Sequence, residues 1–207
     1  MQALRGTQDI LPRDIWKWNY VEKKIREWCR LYRFGEIRTP MFEATELFLR
    51  GIGDTTDVVT KEMYTFNDRG GRSITLRPEN TAAVVRSFLE HKAYADDNVH
   101  KVFYIGSMFR YDRPQAGRFR EFHQFGVETL GSYAPAADAE CIALAVDFFH
   151  SLGLKDLKLL INSIGHVECR KAYRERLIKF LEPKKDQLCD DCKERLYKNP
   201  LRVLDCK

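Results

Sequence analysis

The segment from His100 to Gly131 reads as two β-arms, HKVFYIGSMFRYD and REFHQFGVETLG, joined by the proline- and glycine-bearing stretch RPQAGRF. Arms rich in aromatic and β-branched residues and bounded by turn formers predict a long hairpin. A lone hairpin is marginal in water, so the rest of the chain has to supply a sheet and a covering layer. It offers both. Pro12 stands where a helix begins, and Ile15, Trp18, Val21, Ile25, Trp28 and Tyr32 follow at spacings of three and four until Gly35 ends the pattern. EIRTPMFE (Glu36 to Glu43) reads as a strand whose Pro40 cannot donate to a ladder. A short helix is expected from Thr45, and MYTFND, the turn RGG with Gly70 and Gly71, and SITLRP form a second hairpin signal. Helices from Pro78 to about His91 and from Pro135 to Ser151, a strand LKLLINS, and basic amphipathic helices from His166 to Tyr197 complete the reading. Hairpins separated by helices, without a regular βαβ alternation, predict an α+β domain on an antiparallel β-sheet flanked by helices. SIGHVECRK suggests a boundary between a core, residues 1–165, and a helical segment, 166–207.

Alternation along the second arm places Phe122, Gln124, Gly126 and Glu128 on one face and His123, Phe125, Val127 and Thr129 on the other. The first face offers an aromatic platform, an amide, a gap for close approach to the backbone, and a carboxylate. On the partner arm Gly106, Met108 and Arg110 alternate likewise, so Arg110 belongs at the mouth of that surface. Arg113, Arg118 and Arg120 crowd the connecting loop. Guanidinium groups make bidentate, permanently charged contacts with phosphate, so an ATP-like ligand suits this face. An ordinary exposed sheet face with cross-strand Arg–Glu pairs is the alternative. TLRPENTAAVVR then brings Glu79 and Thr81 to a strand–helix junction, where they can project into a site or simply cap the helix.

Composition narrows the class. No apolar run approaches the roughly 20 residues that cross a bilayer, and MQALRGTQDILPRDIW lacks the basic and apolar regions of a secretion signal. A cytoplasmic protein with no membrane partner is expected. The net charge of +5 lies mostly in the last fifth, with 12 Lys and Arg against 8 Asp and Glu from His166 onward. Such a surplus fits solvated helix faces or a neighbouring polyanion. The six cysteines read as free thiols in a chain with enough apolar residues to do without disulfides. Cys189 and Cys192 have the spacing of half a zinc knuckle, but the second pair is absent: Cys206 has no close partner in sequence, although His166 or Cys169 could in principle complete a set, and no metal is expected there. His100, His123 and His150 lack the spacing of metal ligands.

ALRGTQDILP, IRTPMFE, TDVVTKEMYTF, TLRPENTA and MFRYDRPQAGRFREFHQFGVE, with NSIG and NPLRVLD further on, resemble the N-terminal part of the catalytic domain of histidyl-tRNA synthetases, a class II aminoacyl-tRNA synthetase family. The resemblance runs along essentially the whole chain. It implies the class II catalytic fold, incomplete at the C-terminal end, and the ATP- and Mg²⁺-dependent activation of histidine to histidyl-adenylate followed by transfer to tRNA(His). By motif position Arg110 resembles the catalytic α-phosphate arginine and Phe122 the adenine platform. Arg113 and Arg118 resemble contacts to the outer phosphates of ATP or to the tRNA. Glu79, Thr81, Gln124 and Glu128 match histidine-holding positions, and Pro40 lies in motif 1, which implies a homodimer interface.

The chain departs from the pattern at Asn80, where glycine is expected, and at Asp112, where glutamate is more usual. Asn80 can take the left-handed conformation a glycine would supply. No RGLDYY segment and no motif 3 or anticodon-binding sequence is present, so these 207 residues are expected to be an incomplete enzyme, inactive or weakly active alone. Two other readings share the fold: a non-catalytic histidine-binding paralogue, the regulatory subunit of ATP phosphoribosyltransferase, and a degenerate module that senses uncharged tRNA. An intact arginine-rich loop argues against the first, and the initiating MQALRGTQDILP against the second.

Overall fold

The structure, a computed structural model, describes residues 1–52, 62–96, 98–163 and 165–206. Residues 56–61 of TDVVTKEMYTF and Ile164 of NSIG lie outside them. The chain divides into two compact units, Met1–Leu157 and Lys158–Lys207, so the expected Gly165–His166 boundary falls within the second.

The first unit is built on the long hairpin. Strands β5 (His100–Phe109) and β6 (Glu121–Leu130) pair antiparallel along their whole length, from His100 opposite Leu130 to Phe109 opposite Glu121. The short β1 (Gly35–Glu36) joins β5 in parallel, so this sheet is mixed rather than purely antiparallel. A second, antiparallel sheet has the order β2 (Phe42–Ala44), β4 (Ser73–Leu76), β3 (Thr65–Asn67). Its β3–β4 turn is held by Asp68, whose Oδ1 accepts the backbone N–H of Gly70 at 2.8 Å and of Arg72 at 2.9 Å, and Gly71 supplies the positive φ of +79°.

Two sequence expectations change here for physical reasons. EIRTPMFE is not one strand: β1 ends at Glu36 in the β5–β6 sheet and β2 begins at Phe42 in the other sheet, and Pro40, which has no N–H to give to a ladder, lies in the crossing between them. Helix α1 (Pro12–Leu31) closes before Gly35, with Arg33 in the left-handed region (φ +61°) and the Phe34 N–H reaching back to the Cys29 carbonyl at 2.8 Å.

One face of the β5–β6 hairpin is covered by α1 and α4 (Pro135–Ser151). Ile25 and Cys29 of α1, Leu144 and Phe148 of α4, Phe34 and Phe103 form the buried core, with Ile105, Phe125 and Val127 packed against it. Full burial of one large apolar side chain of this kind stabilises by about 1.5–3 kcal/mol. The Tyr32 hydroxyl donates to Asp147 Oδ2 at 2.5 Å and ties the two helices. Helix α2 (Thr45–Ile52) buries Phe48 completely, and α3 (Thr81–Glu90) is tied to β2 by Arg86, which donates to Glu43 Oε1 at 2.6 Å.

In the second unit α5 (Val167–Leu181), a 3₁₀ turn Glu182–Gln187, α6 (Asp190–Lys198) and a 3₁₀ turn Pro200–Val203 enclose Leu177, Leu181, Cys192, Leu196 and Val203. LKLLINS, expected as a strand, takes no ladder partner among the described residues, and Leu160 and Ile161 are 77% and 75% exposed. Apolar content alone does not make a strand when no neighbour offers N–H and C=O groups in register. Among the described residues no helix is long and apolar enough to cross a membrane.

Candidate functional site

The face of the hairpin turned away from α1 and α4 carries the polar constellation. Antiparallel register sets Phe122 opposite Met108, Gln124 opposite Gly106, Gly126 opposite Tyr104 and Glu128 opposite Val102, so all eight share one surface. Arg110 continues from β5, its N–H bonded to the Arg120 carbonyl at 2.9 Å. Its guanidinium lies 5.3 Å from the centre of the Phe122 ring, and its Nε donates to the Pro78 carbonyl at 2.9 Å. Nε is therefore fixed to the protein, while the ring orients the planar group.

At the other end of the face, α3 begins. Its N-terminus is capped by Glu79, whose carboxylate accepts the N–H of Thr81 at 2.6 Å and of Ala82 at 3.1 Å. Glu79 thus does what the simpler reading allowed: it offsets the helix dipole and satisfies two donors. Thr81 instead turns to the sheet, and its hydroxyl donates to Glu128 Oε1 at 2.7 Å. Burial pushes the Glu128 carboxyl up from its ordinary range, opposed by the Thr81 hydrogen bond; the charge of Glu79 adds to the rise, and a hydrogen bond with Tyr104 opposes it. Burial also pushes the Tyr104 phenol up, with the Glu128 charge as the next cause. Four of the sequence-predicted residues therefore converge in two groups, Arg110 on Phe122 and Thr81 on Glu128, with Gln124 between them on β6.

Two residues that sequence reasoning passed over complete the floor. The gap expected at Gly126 is filled: a Cβ there would lie 2.3 Å from the Tyr104 ring, which crosses the glycine and reaches Glu128. Gly106 is likewise covered, with Arg77 Nη2 only 2.4 Å from where its Cβ would stand. Arg77 is buried and donates to the carbonyls of Ser107 (2.9 Å) and Thr39 (3.0 Å) and to Asn80 Oδ1 (3.4 Å), bridging the end of β4 to β5. Desolvation lowers its pKa. The signal for both was present: a glycine inside a strand marks a place where another group comes close. Asn80 also departs from expectation. Its φ is −119°, not left-handed, and the buried side chain serves as an acceptor for Arg77 and for the Thr39 hydroxyl at 2.6 Å.

The loop between the arms makes a separate group. Asp112 accepts Arg118 Nη1 at 3.0 Å and the Arg113 backbone N–H at 2.7 Å. Arg120 stacks on Tyr111 at 4.0 Å, and its backbone N–H bonds the Gly6 carbonyl at 2.7 Å, strapping the N-terminal segment to the start of β6. Arg5, Tyr111, Asp112, Arg113, Pro114 and Arg120 line a hollow of about 330 Å³. Arg113 and Arg118 are exposed. Pro40 is exposed as well.

An arginine 5.3 Å from the centre of an aromatic ring at one end of a strand face, with a carboxylate–hydroxyl pair at the other end, matches the residues that carried the sequence resemblance. The family model described as histidyl-tRNA synthetase matches residues 6–190. The chain belongs to the histidyl-tRNA synthetase family. It is 66% identical over all 207 residues to the histidine–tRNA ligase of Anoxybacillus flavithermus and 63% identical to that of a Geobacillus species, covering 49% of each. The crystal structure of apo S. aureus histidyl-tRNA synthetase is similar with a TM-score of 0.77 at 47% identity, over 100% of this chain and 49% of that one. A structure described as an ATP phosphoribosyltransferase regulatory subunit/histidyl-tRNA synthetase from Bacillus halodurans has a TM-score of 0.67 over 94% of this chain and 54% of that one. At 22% identity that likeness carries the shared fold alone. The chain thus spans about half the length of the histidyl-tRNA synthetase relatives it matches.

Proposed function

We propose that this chain is part of the catalytic domain of a cytoplasmic, homodimeric histidine–tRNA ligase, with ATP, histidine and tRNA(His) as substrates. The observation that carries the reading is the anchored Arg110 over Phe122, on the same strand face as the Thr81–Glu128 pair. In the first step a histidine carboxylate oxygen attacks the α-phosphorus of ATP, the bond to the β-phosphate oxygen breaks, and pyrophosphate leaves. Negative charge grows on the α-phosphoryl oxygens, so a guanidinium already oriented there lowers the barrier without reorganising at the moment of reaction. In the second step the terminal ribose hydroxyl of the tRNA displaces AMP.

Phe122 stacks the adenine, with Arg110 reaching the α-phosphate. Glu128 and Thr81 receive the histidine, and Gln124 lies between them and the nucleotide. A substrate α-ammonium beside Glu128 would hold the carboxylate ionised against the burial that raises its pKa. Glu79 acts through α3, fixing the turn that aims Thr81. Arg113 and Arg118 serve the outer phosphates or the tRNA acceptor end. Mg²⁺ bound with the nucleotide would offset the negative charge of its phosphates; on this face Glu79 already accepts N–H groups of α3 and Glu128 the Thr81 hydroxyl, so the ion would be held mainly through the nucleotide.

The test is histidine-dependent exchange of labelled pyrophosphate into ATP, run on the full-length protein and on the 207-residue chain in parallel, with other amino acids as controls. Exchange with histidine alone supports the reading. Histidine binding without exchange in the full-length protein would replace it with the regulatory paralogue.

A further inference from the structure

We propose that Cys189, Cys192 and Cys206 form a three-thiolate site for a soft divalent cation, zinc foremost, with the fourth position left to water or another exogenous ligand. The three Sγ atoms lie within 4.8 Å of one another, and those of Cys189 and Cys206 are 3.7 Å apart. A disulfide needs about 2.05 Å. Tetrahedral zinc with Zn–S bonds of about 2.3 Å sets its sulfurs about 3.8 Å apart, so one edge is already at that length and the others need less than about 1 Å of closure.

The local fold explains how residues distant in sequence meet. Cys189 is the N-cap of α6 and Cys192 lies in its first turn, so the two thiols of the CxxC face the same helix end. The 3₁₀ turn Pro200–Val203 then doubles the chain back, and the Cys206 N–H bonds the Val203 carbonyl at 3.3 Å. Cys206, partnerless in sequence, thereby becomes the third member. Cys192 is 1% exposed and belongs to the apolar cluster, whereas Cys189 and Cys206 are exposed. The fourth coordination position therefore opens toward solvent.

Cys192 also belongs to the apolar cluster of the second unit, with Leu177, Leu181, Leu196 and Val203 and a partly buried Leu188. A cation bound to both ends of the Cys189–Cys206 segment would close the loop that carries α6 and the last turn. Binding replaces thiol protons, which pass to solvent, and involves no change of oxidation state.

The experiment uses the 207-residue chain, reduced, stripped of metal, and loaded with Zn²⁺ or Co²⁺ before desalting. We expect one zinc retained per chain by elemental analysis, and a Co²⁺ form showing sulfur-to-metal charge-transfer and tetrahedral d–d bands. Cys189→Ser and Cys206→Ser should lose both signals, while Cys169→Ser on α5 keeps them. Failure of the reduced wild-type chain to retain metal or to show thiolate charge transfer overturns the site whatever the variants do. Retention by C189S equal to wild type overturns it as well.

Discussion

The two faces of the β5–β6 hairpin share one backbone ladder and differ in everything else. Toward α1 and α4, Phe103, Ile105, Phe125 and Val127 meet a closed apolar core. On the opposite face Arg110, Phe122, Gln124 and Glu128 share a surface whose glycines are covered by Arg77 and Tyr104. Alternation lets a single strand serve both: one side packs the larger apolar core, and the other combines a smaller buried cluster, Val84, Tyr104 and Met108, with the residues proposed for recognition. The contrast is testable, because substitutions on each face should move different observables.

The largest effect is expected in the core. Phe148 is 6% exposed and its ring makes an edge contact with Phe125 at 5.5 Å. Phe148→Ala should lower unfolding free energy by about 3–5 kcal/mol in chemical denaturation, through lost transfer energy and the cavity left behind. Where the full-length protein remains folded, its histidine-dependent exchange should persist. Arg110→Ala is the mirror experiment. It should reduce exchange by about a hundred- to a thousandfold while leaving the denaturation midpoint and histidine binding nearly unchanged. Near-normal exchange would sink the phosphate role, and a large fall in stability would show that Arg110 holds the fold rather than the nucleotide.

Gly126→Ala tests where the division between faces fails. The added methyl meets the Tyr104 ring at 2.3 Å, and Tyr104 is buried with Val84 and Met108 under α3. Overpacking of this kind costs about 1–3 kcal/mol. This recognition-face substitution should therefore lower stability and also weaken histidine binding, since the displaced phenol reaches Glu128. A variant with unchanged midpoint and affinity would show that the ring moves aside freely.

The sequence made the scaffold more legible than the site's floor. Alternation in FHQFGVE and spacing in α1 depend on short-range geometry, so the hairpin, its two faces and the covering helix could be read directly. Phe122 and Arg110 were reached the same way. Tyr104, Arg77 and Asn80 were not, because their roles depend on a register that pairs Tyr104 with Gly126 and on a turn that carries Arg77 across to Gly106. No local pattern states which strand lies beside which. The same limit applied to LKLLINS, where composition favoured a strand and only a neighbour could have made one. Cys206 shows the reverse error: absence of a sequence neighbour said nothing about a partner delivered by the chain's return.

The smallest and most discriminating effect concerns Glu128. Burial, reinforced by the charge of Glu79, raises its pKa above the unfolded value, so over the window between the two values the native state holds more protons than the unfolded chain. Stability from this group is fully present below the unfolded pKa and falls as pH rises through the folded one, the opposite of a salt-bridged acid. Glu128→Gln removes the titration and keeps an acceptor for the Thr81 hydroxyl. The variant should therefore unfold at slightly higher temperature than wild type at neutral pH, and the difference should vanish toward acid. Its histidine KM should rise sharply, because the ammonium loses its counter-charge. A core position relieved of strain would gain stability without losing affinity; a binding carboxylate gains one only by losing the other. If Glu128→Gln were less stable at neutral pH and bound histidine normally, Glu128 would belong with the packing face, and the partition between the two sides of the hairpin would have to be redrawn around it.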